Sequence, residues 1–310
     1  MILAALGGIS LFLLGIILAK QGFKSLHSKR LQGLTISITN NFFLASICGG
    51  LLTILIQSSS ATLIIIIALL NSDLIDLKRA IALMMGANVG TTFTLQLISF
   101  PLSNYVVEFI IVASILFFIY LLFKIDILKS IALIIIALAF IYQGVDLLEV
   151  IAVGLKRSTL FINLITIIIS YPLLGIAIGA LFTALIQSSS TFSGIVVIIA
   201  KAGLINLLTA VSLILGSNLG TCITAVLATI DDRNLATTRL VVAHIAFNLL
   251  GILIVIPILP LFIYLIAQTA INLEQQIANA HTLFNLTAYI VLFYFRDYFI
   301  RAIKFIVEKK

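Results

Sequence analysis

The tetrapeptide Gln-Ser-Ser-Ser occurs twice in the chain, at 57–60 and at 187–190, each time inside a long apolar stretch. A single serine in a membrane helix can satisfy its hydroxyl on a carbonyl one turn back. Three adjacent hydroxyls placed twice instead indicate a binding site. Hydroxyls beside the free N–H groups of a helix start favour an anion. The glutamine oxygen and the unpaired carbonyls of a helix end favour a small hard cation.

A second polar element follows each tetrapeptide: GANVGTT at Gly86–Thr92 and GSNLGTC at Gly216–Cys222. We expect its glycines to loosen the helix, so that asparagine and threonine side chains offer neutral oxygens and donors at the break. The candidate residues are Asn88, Thr91, Asn218 and Thr221. Glycines at four-residue spacing suit close packing of membrane helices equally well.

Charge is absent from these elements, and this absence indicates what a bound anion would need. Neither Arg, Lys nor His occurs in 40–70, 80–100, 171–200 or 202–230. Burying an unpaired anion is costly, so the counter-charge must come from elsewhere, and a co-bound metal cation is the economical source. Anion and cation would then raise each other's affinity, which is the physical basis of symport.

The chain is internally duplicated. Residues 49–94 align with 179–224 without a gap, and 20 of the 46 aligned pairs are identical. Upstream, AKQGFKSL (Ala19–Leu26) is similar to IYQGVDLL (Ile141–Leu148). Such duplication is typical of transporters built from repeats. We therefore predict a first repeat over 1–125, a second over 126–256, and an extra C-terminal transmembrane helix with a cytoplasmic tail over 257–310.

The composition places these repeats in a lipid bilayer. With 62% hydrophobic and 9% charged residues, the chain is predicted to be an all-α integral membrane protein. The net charge of +7 is attributed to cytoplasmic loops and not to nucleic-acid binding. The predicted membrane spans are 2–19, 77–100, 104–123, 127–143, 207–230, 238–256 and 278–295.

The two segments that carry the tetrapeptides, 42–70 and 171–200, decide the topology. Each could cross once or turn back as a re-entrant hairpin of two half-helices, and the distribution of Lys and Arg favours hairpins with the Lys20–Arg30 loop in the cytoplasm. Each half then crosses three times, so the halves are inverted, with the N-terminus outside and the C-terminus cytoplasmic. Residues 20–40 are expected to form an interfacial amphipathic helix.

The elements QSSSAT, GANVGTT, QSSST and GSNLGTC, in this order, resemble the sodium–phosphate cotransporter family. This family comprises the type II sodium-dependent phosphate transporters and their bacterial relatives. The resemblance covers nearly the whole chain. It implies coupled uptake of inorganic phosphate and sodium by alternating access, with inverted repeats and paired hairpins. It also implies a transporter and not an enzyme, in a minimal form that resides in a bacterial inner membrane.

The resemblance assigns the polar residues to two ligands. The expected phosphate-binding residues are Ser58, Ser59, Ser60, Ser188, Ser189, Ser190, Asn88 and Asn218. The expected sodium-binding residues are Gln57, Gln187, Thr91, Thr191, Asn218 and Thr221. The sequence departs from the motif at Cys222, which replaces its second threonine, and a thiol is a poor sodium ligand. Ala61 stands where the second repeat has Thr191, so the two halves are not equivalent.

A histidine and an asparagine recur four residues apart, at His244 and Asn248 and again at His281 and Asn285. This spacing puts each pair on one helix face. We favour hydrogen bonds between helices over direct ligand contact for these residues. That a histidine makes transport sensitive to pH is left open.

Other functions stay open at this point. Export of phosphate, or transport of another oxyanion such as sulfate, would use the same chemistry. An intramembrane serine hydrolase with His244 or His281 as base is a remote alternative, since duplication of the tetrapeptide gives it no evident advantage. A channel is disfavoured by two-fold repetition with hairpins. A homodimer is left open, and the number of sodium ions per phosphate does not follow from the motifs.

Overall fold

The computed structural model describes residues 2–25, 41–100, 102–155, 158–230, 232 and 234–308. These residues form α-helices and two short 3₁₀ helices, and the described ranges contain no strand. The helices are α1 (Ile2–Ser25), α2 (Phe42–Ile56), α3 (Ser59–Asn71), α4 (Leu77–Ser99), α5 (Val106–Phe123), α6 (Asp126–Leu155), α7 (Thr159–Ser170), α8 (Pro172–Ile186), α9 (Ser189–Lys201), α10 (Leu207–Ala228), α11 (Leu235–Val255), α12 (Leu259–Ala267), α13 (Leu273–Tyr294) and α14 (Arg296–Glu308).

Among the described residues, six stretches of helix are long and apolar enough to cross a membrane, and they confirm six of the seven predicted spans. They are Leu6–Phe23, Leu77–Ser99, Val106–Phe123, Asp126–Leu148, Leu207–Ala228 and Leu235–Ala267. The seventh predicted span, 278–295, falls on α13, which has 22 residues but is not among the six. Its two asparagines, two glutamines and one histidine lower its apolarity.

The first helix is longer than the sequence predicted. The predicted span ended at residue 19, whereas α1 continues to Ser25. Lys20 therefore lies within a helix and not in a loop, whereas its place on the cytoplasmic side stays a prediction. The remainder of the predicted amphipathic helix, residues 26–40, lies outside the described residues.

Helices α1 and α6 pack against each other in antiparallel orientation. Gly8 of α1 lies against Leu148, Gly15 against Ile141 and Gly22 against Ile134. Residue numbers rise along α1 as they fall along α6. The similar segments Ala19–Leu26 and Ile141–Leu148 lie in α1 and α6, so these helices correspond to each other in the two halves. Inverted repeats require such a pair to run antiparallel. The inversion of the complete halves stays a prediction.

Helix α2 packs on α4, and α8 packs on α10, with backbone against backbone. A Cβ atom at Gly86 would overlap the carbonyl oxygen of Ser46, and one at Gly216 would overlap that of Ile176. Helices α4 and α10 run through these glycines without a break. The expectation that the glycines loosen the helix is therefore wrong, because they serve the close approach of a neighbouring helix.

The charged ends of several helices are tied together in the described structure. Lys78 at the start of α4 pairs with Asp297 of α14 at 3.3 Å. Arg239 of α11 pairs with Glu308 at 2.7 Å. Both pairs join the start of a helix to α14 and bring these four residues to one end of the molecule.

Candidate functional site

Each Gln-Ser-Ser-Ser element interrupts a helix and starts a new one. Helix α2 ends at Ile56, and Gln57 adopts the left-handed conformation with φ 54°. Gln187 does the same with φ 57° after α8. The next residue caps the following helix: Ser58 Oγ accepts from the N–H of Ala61 at 3.2 Å, and Ser188 Oγ accepts from that of Thr191 at 3.3 Å. Two of the six serines are therefore N-caps.

The first of these elements is the tip of a hairpin. Thr53 of α2 donates to the hydroxyl of Thr62 in α3 at 3.1 Å, although nine positions separate them. In a straight helix these positions would be about 13 Å apart, so the chain folds back on itself. The half-helices have 15 and 13 residues, or about 20 Å each, which is shorter than the ~30 Å hydrocarbon core.

The second half repeats the same helix bounds at an offset of 130 residues, since α8 and α9 correspond to α2 and α3. The predicted hairpin architecture is thus confirmed in its secondary structure. The partner of the threonine contact is not repeated, because Phe192 stands where the first half has Thr62. The hydroxyl of Thr183 consequently has no hydrogen-bond partner among the described residues.

The hairpin tips present backbone donors as well as hydroxyls. At the start of α3, the N–H of Ala61 is taken by the Ser58 side chain, and that of Thr62 by the Ser58 carbonyl. The N–H groups of Ser59 and Ser60 precede these and have no acceptor within the helix. A helix start with two free donors and the positive end of the helix dipole suits an anion.

The two tips reach into the opposite halves of the molecule. Ser60 lies 2.7 Å from the hydroxyl of Thr224 in α10. Thr224 already donates to the Thr221 carbonyl at 2.6 Å, so Ser60 is the donor in this contact. In the alignment of the two halves, Ser190 corresponds to Ser60 and Thr94 corresponds to Thr224. Thr94 of α4 and Ser190 of the second tip line one cavity.

Gln57 completes this cavity between the halves. Its side-chain oxygen accepts from the Thr94 hydroxyl at 2.6 Å, and the residue is buried. The cavity has a volume of about 20 Å³, enough for about one water molecule. A polyatomic anion would enter only after the surrounding side chains move apart.

The lining of this cavity corrects the prediction of a wholly neutral site. Lys20 of α1 lines the cavity together with Gln57, Thr94 and Ser190. Sequence reasoning missed it because the motifs lie in other segments and α1 was predicted to end one residue earlier. The similarity between Ala19–Leu26 and Ile141–Leu148 could have indicated Lys20, because it shows that this part of α1 belongs to the repeated unit.

The two motif asparagines lie in buried clusters between helices. The side-chain oxygen of Asn88 lies 3.3 Å from Nε2 of His244 in α11, and that of Asn218 lies 3.2 Å from Nε2 of His281 in α13. The predicted hydrogen bonds between helices are confirmed. Each asparagine amide already donates within its own helix, at 3.0 Å, so each Nε2 carries the proton that its asparagine oxygen accepts.

Each of these two clusters also contains two acceptors without a partner among the described residues. If Nε2 of a neutral imidazole carries its proton, Nδ1 is a bare lone pair. Nδ1 of His244 and the side-chain oxygen of Asn248 are both buried without a partner among the described residues, and so are those of His281 and Asn285. Buried acceptors of this kind are normally satisfied by an ordered water or an ion.

The motif threonines can offer only lone pairs to a ligand. Thr91 donates to the Ala87 carbonyl at 3.0 Å, and Thr221 donates to the Ser217 carbonyl at 2.9 Å. Their hydroxyl protons are therefore occupied, which suits a cation better than an anion. Cys222 lies in the Asn248 cluster, where its sulfur accepts from the amide at 3.4 Å.

Gln187 and Thr191 are not brought to the cavity that Gln57 lines. Gln187 is exposed, whereas Gln57 is buried. Thr191 lies 2.9 Å from Ser188 and borders a separate, apolar cavity of about 430 Å³ next to α1. The two halves are alike in backbone but differ in the surroundings of their tips.

Several apolar helices long enough to cross a membrane surround a pair of polar hairpin tips that meet between duplicated halves. This architecture is typical of membrane transporters built from repeats. A model of the Na+/Pi-cotransporter family matches residues 11–150 and 156–292. The chain belongs to the Na+/Pi-cotransporter family, as its motifs predicted. It is accordingly a transporter and not an enzyme, and the serine hydrolase alternative is set aside.

Individual relatives extend this result. YqeW, an uncharacterised protein of Bacillus subtilis, is 28% identical over 299 residues, which cover 96% of this chain and 96% of that protein. YjbB of Escherichia coli, whose name proposes inorganic phosphate export, is 28% identical over 318 residues. The match covers 99% of this chain but only 56% of YjbB, so the chain spans little more than half of that relative.

A human relative is similar over a shorter region. Human sodium-dependent phosphate transport protein 2B is 35% identical over 140 residues, which cover 42% of this chain and 20% of that protein. No solved structure matches the chain at comparable significance.

Proposed function

We propose that this chain takes up inorganic phosphate together with sodium by alternating access. The observation that carries the proposal is the cavity between the two halves. Gln57 and Thr94 from the first half and Ser190 from the second line it together. A site shared by two pseudo-symmetric halves can open to either side of the membrane when one half moves against the other.

The chemistry of the two tips divides between the two ligands. The serines of both tetrapeptides, with the free N–H groups at the starts of α3 and α9, would donate to phosphate oxygens. Ser58 and Ser188 would act mainly as caps that fix these donors. Gln57, Thr91 and Thr221 would supply oxygen lone pairs to sodium, which prefers hard oxygen ligands. Asn88 and Asn218 would link each site to the histidine of a neighbouring helix.

The unequal surroundings of the two tips support alternating access. Gln57 is held by Thr94 at 2.6 Å, whereas Gln187 is exposed. The serines of the two tips are equally buried, so the difference lies in the two glutamines, and such a difference is what we expect of one end state of the cycle. In the other end state the roles of the two tips would be exchanged.

The distribution of Lys and Arg supports a proposal for the topology. We place the protein in a bacterial inner membrane, with the N-terminus outside and the C-terminus cytoplasmic, because basic residues favour the cytoplasmic side. The repeats are proposed to cover 1–125 and 126–256.

Phosphate export is the second candidate function. It is favoured by the similarity to YjbB over 99% of this chain, since the name of that relative proposes export. Import and export would use the same binding residues. They differ in the direction in which the sodium gradient and the voltage drive the cycle.

Purified protein in proteoliposomes would separate these functions. Labelled phosphate flux is measured while the sodium gradient and the membrane voltage are set independently. Sodium-coupled uptake predicts phosphate accumulation that follows an inward sodium gradient. Equal flux with and without that gradient would contradict the proposal. Competition by sulfate and arsenate in the same assay tests whether phosphate is the preferred oxyanion.

A further inference from the structure

We propose that Lys20 is a phosphate-binding residue and supplies a fixed positive charge at the transport site. This inference rests on the proposed function. Lys20 lies in α1 and lines the same cavity as Gln57, Thr94 and Ser190. It is the cationic member of that lining, whose other members are polar neutral or apolar residues.

The surroundings of Lys20 leave its charge uncompensated. The residue is half-buried, and within the described ranges no carboxylate lies at ion-pair distance from it. The cavity wall beside it is otherwise formed largely by aliphatic side chains such as Ile16, Ile98 and Leu138. A cation partly removed from water without a counter-ion is unfavourable. An anion bound at the tips would compensate it.

The chemistry of the ammonium group matches that of the tips. Lysine offers three N–H donors and no acceptor, so it complements phosphate oxygens and repels sodium. Ser190 adds a hydroxyl on the same cavity. Lys20 and Ser190 together would hold phosphate on one side of the cavity, while the Gln57 oxygen faces the cation.

The second half provides no equivalent charge. In the echo between Ala19–Leu26 and Ile141–Leu148, the position of Lys20 corresponds to Tyr142. The Tyr142 hydroxyl donates to the Leu97 carbonyl at 2.8 Å and is thereby engaged between helices. The site is therefore asymmetric, with its fixed cation contributed by the first half.

A fixed cation changes the charge balance of coupled transport. Doubly charged phosphate beside Lys20 needs one fewer sodium ion to reach neutrality than the same anion among neutral groups. Lys20 does not itself leave the protein. Replacing it with a neutral side chain should therefore increase the sodium requirement and the net positive charge moved per phosphate.

The main experiment compares K20M, K20R and the wild type in proteoliposomes under voltage control. K129M is the matched control, because Lys129 is exposed at the start of α6, away from the cavity lining. K20M is expected to raise the KM for phosphate about tenfold or more and the charge moved per phosphate by about one elementary charge. K20R should retain the wild-type charge ratio, and K129M should match the wild type in both measurements.

Two results would overturn the proposal. The first is a wild-type KM and charge ratio in folded K20M. The second is a raised KM in K20M with an unchanged charge ratio and no rescue by arginine, which would indicate a packing role. A Lys20 whose stem is buried but whose ammonium reaches outward to the membrane surface would give one of these two results.

Measuring phosphate binding directly tests the role of Lys20 independently of the proposed transport function. If the wild type shows no sodium-dependent flux, the proposed function fails, and labelled phosphate binding to wild type and K20M still decides the role of Lys20. If K20M does not fold, wild-type protein is acylated on lysines with and without phosphate. Phosphate should slow labelling of Lys20 severalfold relative to Lys129, and an unchanged ratio would contradict the assignment.

Discussion

Ser58 and Ser190 belong to equivalent tetrapeptides but have different tasks in the structure. Ser58 caps α3 through its side-chain oxygen, so its chemistry is directed at its own backbone. The side-chain hydroxyl of Ser190 forms no hydrogen bond within the described residues, and Ser190 lines the cavity between the halves. One position stabilises a helix start, and the other is available to a ligand.

The variants S58A and S190A should therefore differ in what they lose. S58A is expected to lower the free energy of unfolding by about 1 kcal/mol through loss of the cap. S190A should raise the KM for phosphate about tenfold with little change in stability. Thermal unfolding and flux assays measure both, with S114A as control, because Ser114 is bonded to its own helix at an exposed site. Equal effects of S58A and S190A on both quantities would contradict this division.

Asp232 provides a pH-dependent contribution to stability outside the membrane spans. The backbone N–H of Asn234 and the side-chain amide of Asn71 donate to its carboxylate and hold its pKa below the usual value. A carboxyl whose pKa is lower in the folded than in the unfolded state adds stability above the unfolded pKa. That stability is lost as the pH falls through the folded pKa.

The D232N variant should consequently show a weaker dependence of stability on acid pH. Between about pH 4, the ordinary aspartate range, and more acidic values, the unfolding temperature of the wild type should fall more steeply. Thermal unfolding of both proteins in detergent over this range measures the difference. Parallel curves for D232N and wild type would show that the hydrogen bonds of Asp232 do not influence folding.

At the scale of helices, the glycines of the second motif decide how closely the hairpins approach. Helices α4 and α10 run without interruption, and the hairpin arms α2 and α8 lie directly on their glycine faces. Each tetrapeptide is thus fixed relative to the asparagine of its own half. The histidines of α11 and α13 then connect those asparagines to two further helices.

Alanine at Gly86 or Gly216 should separate these helices. A Cβ atom there would meet a backbone carbonyl, which cannot rotate away as a side chain could. We expect G86A and G216A each to lower stability by about 1–3 kcal/mol or more, measured by thermal unfolding. G7A is the control, since no atom lies within 4 Å of a Cβ at Gly7 and alanine favours the helix by about 1 kcal/mol. Full stability of G86A would refute the packing role.

At the scale of the whole molecule, the site depends on contacts that cross between the halves. Ser60 of the first tip donates to Thr224 of the second half at 2.7 Å. Helices α1 and α6 form a different contact between the halves, in which Ser25 lies 2.7 Å from Ser130. In alternating access the first contact should break during the cycle, whereas the closely packed helix pair should move as one body.

Cysteine pairs at these two places test this distinction. In a variant whose native Cys48 and Cys222 are replaced by alanine, oxidation of S60C/T224C is expected to stop phosphate flux. Oxidation of S25C/S130C should leave the flux close to that of the reduced protein. Flux is measured before and after a reducing agent is added. Undiminished flux through oxidised S60C/T224C would argue against movement of the tip relative to α10.

The sequence by itself determined the class of protein, the duplication and the positions of the hairpins. These features depend on local patterns: apolar runs, repeated motifs and helix caps act over a few residues and do not require a tertiary fold. The offset of 130 residues therefore relates the bounds of α2 to those of α8 and the bounds of α3 to those of α9. It also relates the start of α4 to the start of α10. The same reasoning made the first helix too short, because its polar residues after 19 gave the pattern of a helix end.

Only the tertiary structure decided which polar residues meet. Gln57, Thr94, Ser190 and Lys20 come from four segments far apart in the chain, and only helix packing places them on one cavity. The motif glycines likewise proved to serve helix contact, since their role depends on the neighbour and not on their own helix. Gln57 and Gln187 share a motif and a backbone conformation but differ in burial, because the surroundings of each tip are set by the opposite half.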